Sequence, residues 1–256
     1  MGNLNFCARS LSTGAFQFQK GLFMNEILLI GSLIVIYGGV LLSYRFFGKA
    51  GLFGFTVIAT ILANIEVLIL VNAFGMEQTL GNVLFASTYL ITDILSENEG
   101  KKAANRAVNI GIFAAVFMVI ISQSWFLYEK SGNDWVSEPL SAVFSTTPRL
   151  ILASLIGYAV SQKLDVVLYH KWWEWSSKKW GDSHRFLWLR NNGSTLISQI
   201  INTVLFNTIA FYRMYNTKTF LSILLSSYVI YVFTSLLDTP IVYIARKLTE
   251  KGKIPE

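Results

Sequence analysis

Apolar residues run along this chain in long blocks, broken by short stretches that hold most of the charge. Between Glu26 and Arg45, for example, there is no charged residue at all. A helix needs about 20 apolar residues to cross the hydrocarbon of a bilayer. The pattern supplies such runs at roughly 26–47, 51–73, 79–96, 104–128, 148–170, 192–213 and 219–246. It therefore predicts an all-α fold, a polytopic transmembrane helix bundle of about seven spans. Residues 1–23 are weakly patterned and read as an N-terminal extension or mobile tail, 24–247 as the transmembrane domain, and 248–256 as a C-terminal tail. The third span is short and polar, with Gly81, Asn82, Ser87, Thr88, Thr92 and Asp93. Such a helix belongs inside the bundle, where its polar groups find partners. The fifth has a clean start, with Thr146 or Thr147 as cap and Pro148 at the first helical position.

Composition strengthens the membrane reading. Hydrophobic residues make up 53% and charged residues 14%, against roughly 25% charged in soluble chains. The mean hydropathy is +0.49. The net charge is +6, but the cations sit between apolar blocks rather than in a stripe. They fit orientation signals and anionic headgroups, with no direct nucleic-acid contact. With the C-terminus inside, 14 Lys and Arg fall in inner segments and 5 in outer ones. That asymmetry predicts a multi-pass membrane protein, N-terminus out and C-terminus in. The segment 171–191 reads as the largest inner loop and holds Trp172, Trp173, Trp175, Trp180 and Trp188. Indoles and lysines there suit an interfacial anchor, or a docking surface for a lipid or protein.

Several chemistries lack their residues. Cys7 stands alone, so neither an internal disulfide nor a cysteine zinc site is expected. Two histidines, His170 and His184, leave little for metal binding, and neither metal nor cofactor is expected. There is no zincin motif, nucleophile elbow or P-loop.

The candidate chemistry is polar residues at membrane depth. Asp93 and Glu97 share a helix face. Gln162 and Asp165 lie near the inner end of span five, and Asn192, Thr195, Gln199 and Asn202 form a stripe down span six. Asp238 precedes Pro240 in span seven. Asn64, Glu66 and Arg149 sit at similar outer depths, which allows a Glu66–Arg149 pair. Two readings stand side by side. These groups line a cavity for a hydrogen-bonding solute, or they glue helices together.

Particular stretches resemble the queuosine-precursor transporters, a vitamin-uptake-transporter-like membrane family. They are Gly81-Asn82-Val83-Leu84-Phe85-Ala86-Ser87 with Thr92-Asp93-Ile94-Leu95-Ser96-Glu97 and Gly100-Lys101-Lys102; Arg149 through Gly157-Tyr158, Ser161-Gln162 and Leu164-Asp165-Val166; Leu189 to Thr195 with Ser198-Gln199 and Phe206; and Asp238-Thr239-Pro240 with Tyr243. The resemblance covers about residues 52–247 and makes the first span extra to a six-helix core. It departs where Asn202 replaces a usual acidic residue, and where Glu66 follows Asn64-Ile65 in place of a lysine.

The resemblance implies uptake of queuine or a related 7-deazaguanine for tRNA modification. Such a base offers donors at N1 and its 2-amino group and an acceptor at O6. The implied substrate-binding residues are Asn64, Glu66, Asp93, Arg149, Gln162, Asp165, Gln199 and Asn202, with Phe85, Tyr89 and Phe206 for stacking. The implied partners are a small-molecule nucleobase and the lipid bilayer; a homodimer stays open. Two alternatives also stay open. One is the substrate-capturing subunit of an ATP-driven importer, which requires an ATPase module. The other is an intramembrane enzyme using Asp93 with Asp165 or Asp238.

Overall fold

The computed structural model describes residues 2–145, 148–182, 184–213 and 216–255. The chain begins with α1 (Gly2–Glu66), which is interrupted at Gly48 (φ 56°, ψ −146°). That positive φ suits glycine, which has no Cβ to clash. The helix doubles back there. A Cβ on Gly51 would meet the Ser43 carbonyl at 2.4 Å, and one on Gly39 would meet the Phe55 ring at 3.1 Å. Segment α1 therefore supplies two antiparallel spans, in agreement with the expected pair 26–47 and 51–73.

The second of these ends earlier than the pattern predicts. Its helix stops at Glu66, and Leu70–Ala73 form strand β1, paired antiparallel with β2 (Met76–Thr79). Phe74 and Gly75, both at positive φ, make the two-residue turn between them. Two such residues match the twist of a tight hairpin. Hydropathy cannot detect this switch, because Leu70 and Val71 are as apolar as the helix before them.

Helix α2 (Gly81–Asn98) is buried from Gly81 to Ser96 except at Phe85. It runs through the middle of the bundle, packed against α1, α3, α5 and α7. The most polar span is thus the central one, as its composition predicts. Helix α3 (Lys101–Ser124) reverses the arrangement. Its buried stripe is small, with Ala104, Ala107, Gly111, Ala114 and Ala115, whereas Phe113, Phe117 and Ile120 face outward. Small residues let helices approach closely where no water drives them together.

A short 3-10 turn (Trp125–Leu127) and α4 (Ser137–Ser145) lead to α5 (Pro148–Trp180), α6 (Leu187–Phe211) and α7 (Thr217–Glu250). The expected cap at Thr146 or Thr147 lies outside the described residues. Helix α5 has 33 residues, about 50 Å at 1.5 Å per residue. It overshoots a hydrocarbon of about 30 Å, so much of the expected 171–191 loop is helix. The connection is only Gly181–Phe186. Among the described residues, four segments are long and apolar enough to cross a membrane: Met24–Glu66, Lys101–Leu127, Leu187–Phe211 and Thr217–Glu250.

The bundle has two distinct ends. The Gly48 bend, the α2–α3 junction, the start of α6 and the end of α7 meet at one, called here the basic face. Arg45 donates to the Lys253 carbonyl there, and Tyr44 bonds both Glu99 and Thr249. The β1–β2 hairpin, α4 and the α6–α7 turn occupy the other, the hairpin face.

Candidate functional site

A polar track runs between these two ends. At the hairpin face it opens as a cavity of about 230 Å³. Helices α2, α6 and α7 contribute Asn82, Asn202, Asn207 and Tyr231, and the hairpin contributes Gln78. Phe206 forms an apolar wall. A smaller pocket continues it inward, lined by Phe85, Ser154 and again Asn202 and Tyr231. The Tyr231 hydroxyl donates to the Asn82 side-chain oxygen at 3.1 Å. Glycine makes room here. A Cβ on Gly157 would lie 2.7 Å from Oδ1 of Asn202, so a larger residue there would push the Asn202 amide out of its present position.

One layer deeper the side chains are tied to each other. Tyr89 donates to Ser161 at 2.6 Å. Gln162 donates to Thr88 at 2.6 Å and accepts from Thr92 at 3.3 Å. Gln199 accepts from Asn202 at 3.3 Å. The first three bonds join α2 to α5 and the last lies within α6, all in the low-dielectric interior, where an unpaired polar group is costly.

Below this lie three carboxyl groups from three helices. Asp93 and Asp165 are fully buried and Asp238 is 1% exposed. The carboxyls of Asp93 and Asp165 stand close together, with Ser194, Thr195 and Ser198 near Asp165. Among the described residues neither Asp165 oxygen accepts a hydrogen bond, because the Ser194 and Ser198 hydroxyls donate to carbonyls of their own helix. Thr195 donates to Asp93 at 3.3 Å, and Asn191 donates to Asp238 at 2.8 Å. Ser235 donates to Asn192 at 3.1 Å, which ties α7 to the α6 stripe. The arrangement gathers hydrogen-bond acceptors at the centre of the bundle. It suits a solute rich in N–H donors.

Residues 79–245 match the family described as "Putative vitamin uptake transporter". The "Probable queuosine precursor transporter" of Bacillus subtilis (strain 168) is 37% identical over 82% of this chain and 89% of its own length. The chain belongs to this family. The "Queuosine precursor transporter" of Escherichia coli (strain K12) is 27% identical over 59% of this chain and 63% of its own. A "Probable queuosine precursor transporter" of Haemophilus influenzae is 26% identical over 56% and 55%. No solved structure matches.

As a member of the vitamin uptake transporter family, the chain is a multi-pass membrane protein. The residues expected at its site divide into three groups. Asn202, Phe206 and Phe85 line the cavity. Tyr89, Gln162, Gln199, Asp93 and Asp165 form the layers beneath it. The rest stand apart. Asn64 accepts from Ser154 at 2.9 Å and lines only a small side pocket. Glu66 is half-buried at the end of α1. Arg149 donates to the carbonyls of Ile209 and Tyr212, capping the end of α6. The expected Glu66–Arg149 pair is therefore not the arrangement observed.

Sequence reasoning missed Tyr231 and Asn207 on the cavity wall and Arg190 below the carboxyls. Tyr231 carries no signal, since one tyrosine in an apolar helix looks like packing. Arg190 stands one turn before Ser194 but across the helix from Asn192, Thr195, Gln199 and Asn202, so periodicity does not assign it to that stripe and only the fold brings it beneath the carboxyls.

Proposed function

We propose that this protein carries a queuosine precursor, queuine or a related 7-deazaguanine, across the cytoplasmic membrane. The carrying observation is a cavity-headed polar track inside the most buried helices of a chain from this family. A soluble-type core would not accept so many buried amides and carboxyls without a use for them. In this reading the base enters at the hairpin face. Its flat ring lies against Phe206 and Phe85, and its donor edge meets the side-chain oxygens of Asn82 and Asn202. Gln162, Gln199, Asp93 and Asp165 continue the acceptor path inward. The basic face lies in the cytoplasm, which follows from the excess of Lys and Arg there.

Expression in a host unable to make or salvage queuosine precursors tests the reading. Labelled queuine should accumulate and queuosine should reappear in tRNA. No restoration, despite good membrane expression, overturns it. Purified protein in liposomes separates a self-sufficient carrier from a capture subunit: the carrier moves label without an ATPase module.

A further inference from the structure

We infer that Glu97 and Arg190 form the gate that closes the track on the basic face, an inference that rests on the transport reading. Glu97 lies one helical turn beyond Asp93 on α2. Its side chain is 3% exposed and that of Arg190 is 1% exposed. The guanidinium grips both carboxylate oxygens, with Nη2 to Oε1 at 2.6 Å, Nη2 to Oε2 at 2.7 Å and Nε to Oε2 at 3.0 Å. Tyr169 of α5 donates to Oε2 at 2.6 Å, and Arg246 of α7 stands 3.5 Å from Oε1. One carboxylate thus draws α2, α5, α6 and α7 together. The remaining Arg190 nitrogen donates to the Arg185 carbonyl at 2.9 Å, and the guanidinium lies 4.3 Å from the Trp173 ring centroid.

What lies beyond the pair makes it a gate. Glu97 also lines an open vestibule of about 650 Å³ on the basic face, with Ser96, Lys101, His170, Trp173 and Lys178. On one side of Glu97 are the buried carboxyls of the track; on the other is this vestibule. The pair and its tyrosine are the partition. Chemistry favours a charged partition over an apolar one for this task. A buried ion pair is held by geometry against a large desolvation cost. Once water enters, both ions regain hydration, so separation is far less costly than its hydrogen bonds suggest. Such an element has two discrete states, as a switch requires.

The test reads accessibility behind the gate. Ser194, fully buried one turn above Arg190 on α6, is replaced by cysteine in a Cys7→Ser background. Sealed vesicles, oriented by labelling of a separate Lys178→Cys protein, are treated with a membrane-impermeant maleimide without substrate. From the Lys178 side, labelling should be slow with the native pair and about 10-fold faster with Glu97→Gln or Arg190→Lys, as the open population grows. The exchanged pair Glu97→Arg with Arg190→Glu should restore slow labelling. Equal rates in native and variant proteins of matching gel-filtration profile would show a static clamp and overturn the gate. Rapid labelling of the native protein would overturn it too. Failure of queuine uptake would sink the transport reading but leave this measurement intact.

Discussion

The two ends of the polar track solve the same problem in opposite ways. At the hairpin end the groups are neutral amides and hydroxyls around empty space. Asn207 Oδ1 and Thr203 Oγ1 stand there, buried, without a hydrogen bond. At the basic end the groups are charges, and both oxygens of Glu97 are engaged. The difference follows from the cost of burial. An unpaired amide forfeits roughly 1–3 kcal/mol, whereas an unpaired charge forfeits several times more. A cavity that waits for a solute can be built from amides. A closure that must stay dry can use charges only if every one is matched.

Breaking one partner at each end should expose that asymmetry. Glu97→Ala strands Arg190 in the interior and should cost about 3–5 kcal/mol. Asn207→Ala at the cavity should cost no more than about 1 kcal/mol, since its oxygen already lacks a partner. Reversible unfolding of the purified protein in mixed micelles measures both. The double variant Glu97→Leu with Arg190→Met should recover most of the loss, because no lone charge remains. A Glu97→Ala loss as small as that of Asn207→Ala would mean that water already reaches the pair.

The same asymmetry decides what was legible in the sequence. Hydropathy marks lipid-facing surface, so α3, α6 and α7 stand out as apolar runs. The position of α2 was legible for the opposite reason: a helix with Asn82, Thr88, Thr92 and Asp93 can only be interior. Charges at helix ends are ambiguous, because snorkelling to water and pairing inside look alike in one dimension. That is why Arg190 reads as a loop cation, and why Arg149 and Glu66 invite a pairing that the fold does not make. The cavity was half legible. Asn202 and Phe206 belong to recognisable stretches, but Tyr231 enters the wall through tertiary packing alone. The hairpin was invisible, since its switch from helix depends on the turn at Phe74-Gly75.

At the cavity end the effect should appear in substrate recognition. Asn82→Leu removes an amide that Tyr231 already orients. In the proposed reading it should raise the KM for queuine about 5- to 30-fold, equivalent to 1–2 kcal/mol. Stability should fall by about 1 kcal/mol, because the Tyr231 hydroxyl loses its Asn82 acceptor although the replacement is similar in size. Initial-rate uptake in vesicles measures it. A fall in the maximal rate at constant KM would move Asn82 from recognition to structure. Tyr231→Phe should give a smaller shift in the same direction, because it removes the group that holds Asn82.

The smallest effect should come from a carboxylate with none of the constraints on Glu97. Asp134 lies in the exposed loop before α4, on the hairpin face. Its Oδ1 accepts the backbone N–H groups of Val136 at 2.9 Å and Ser137 at 3.0 Å, and the Ser137 hydroxyl donates to its other oxygen. The Ser137 hydroxyl first, then these N–H groups, hold the Asp134 carboxyl below its ordinary range. A carboxyl depressed on folding adds stability above its unfolded pKa, about 3.9, and loses it as pH falls through the lower folded value. Local protection of residues 134–140, read by hydrogen exchange corrected for intrinsic rates, should therefore be constant from pH 7 to 5 and decline below about 4. Asp134→Asn should show the reduced protection at every pH, with no change in global unfolding. Water can replace each of these bonds at the surface, so the loop merely loosens. Loss of the whole fold in that variant would show that exposure is a poor guide to what a carboxylate is worth here.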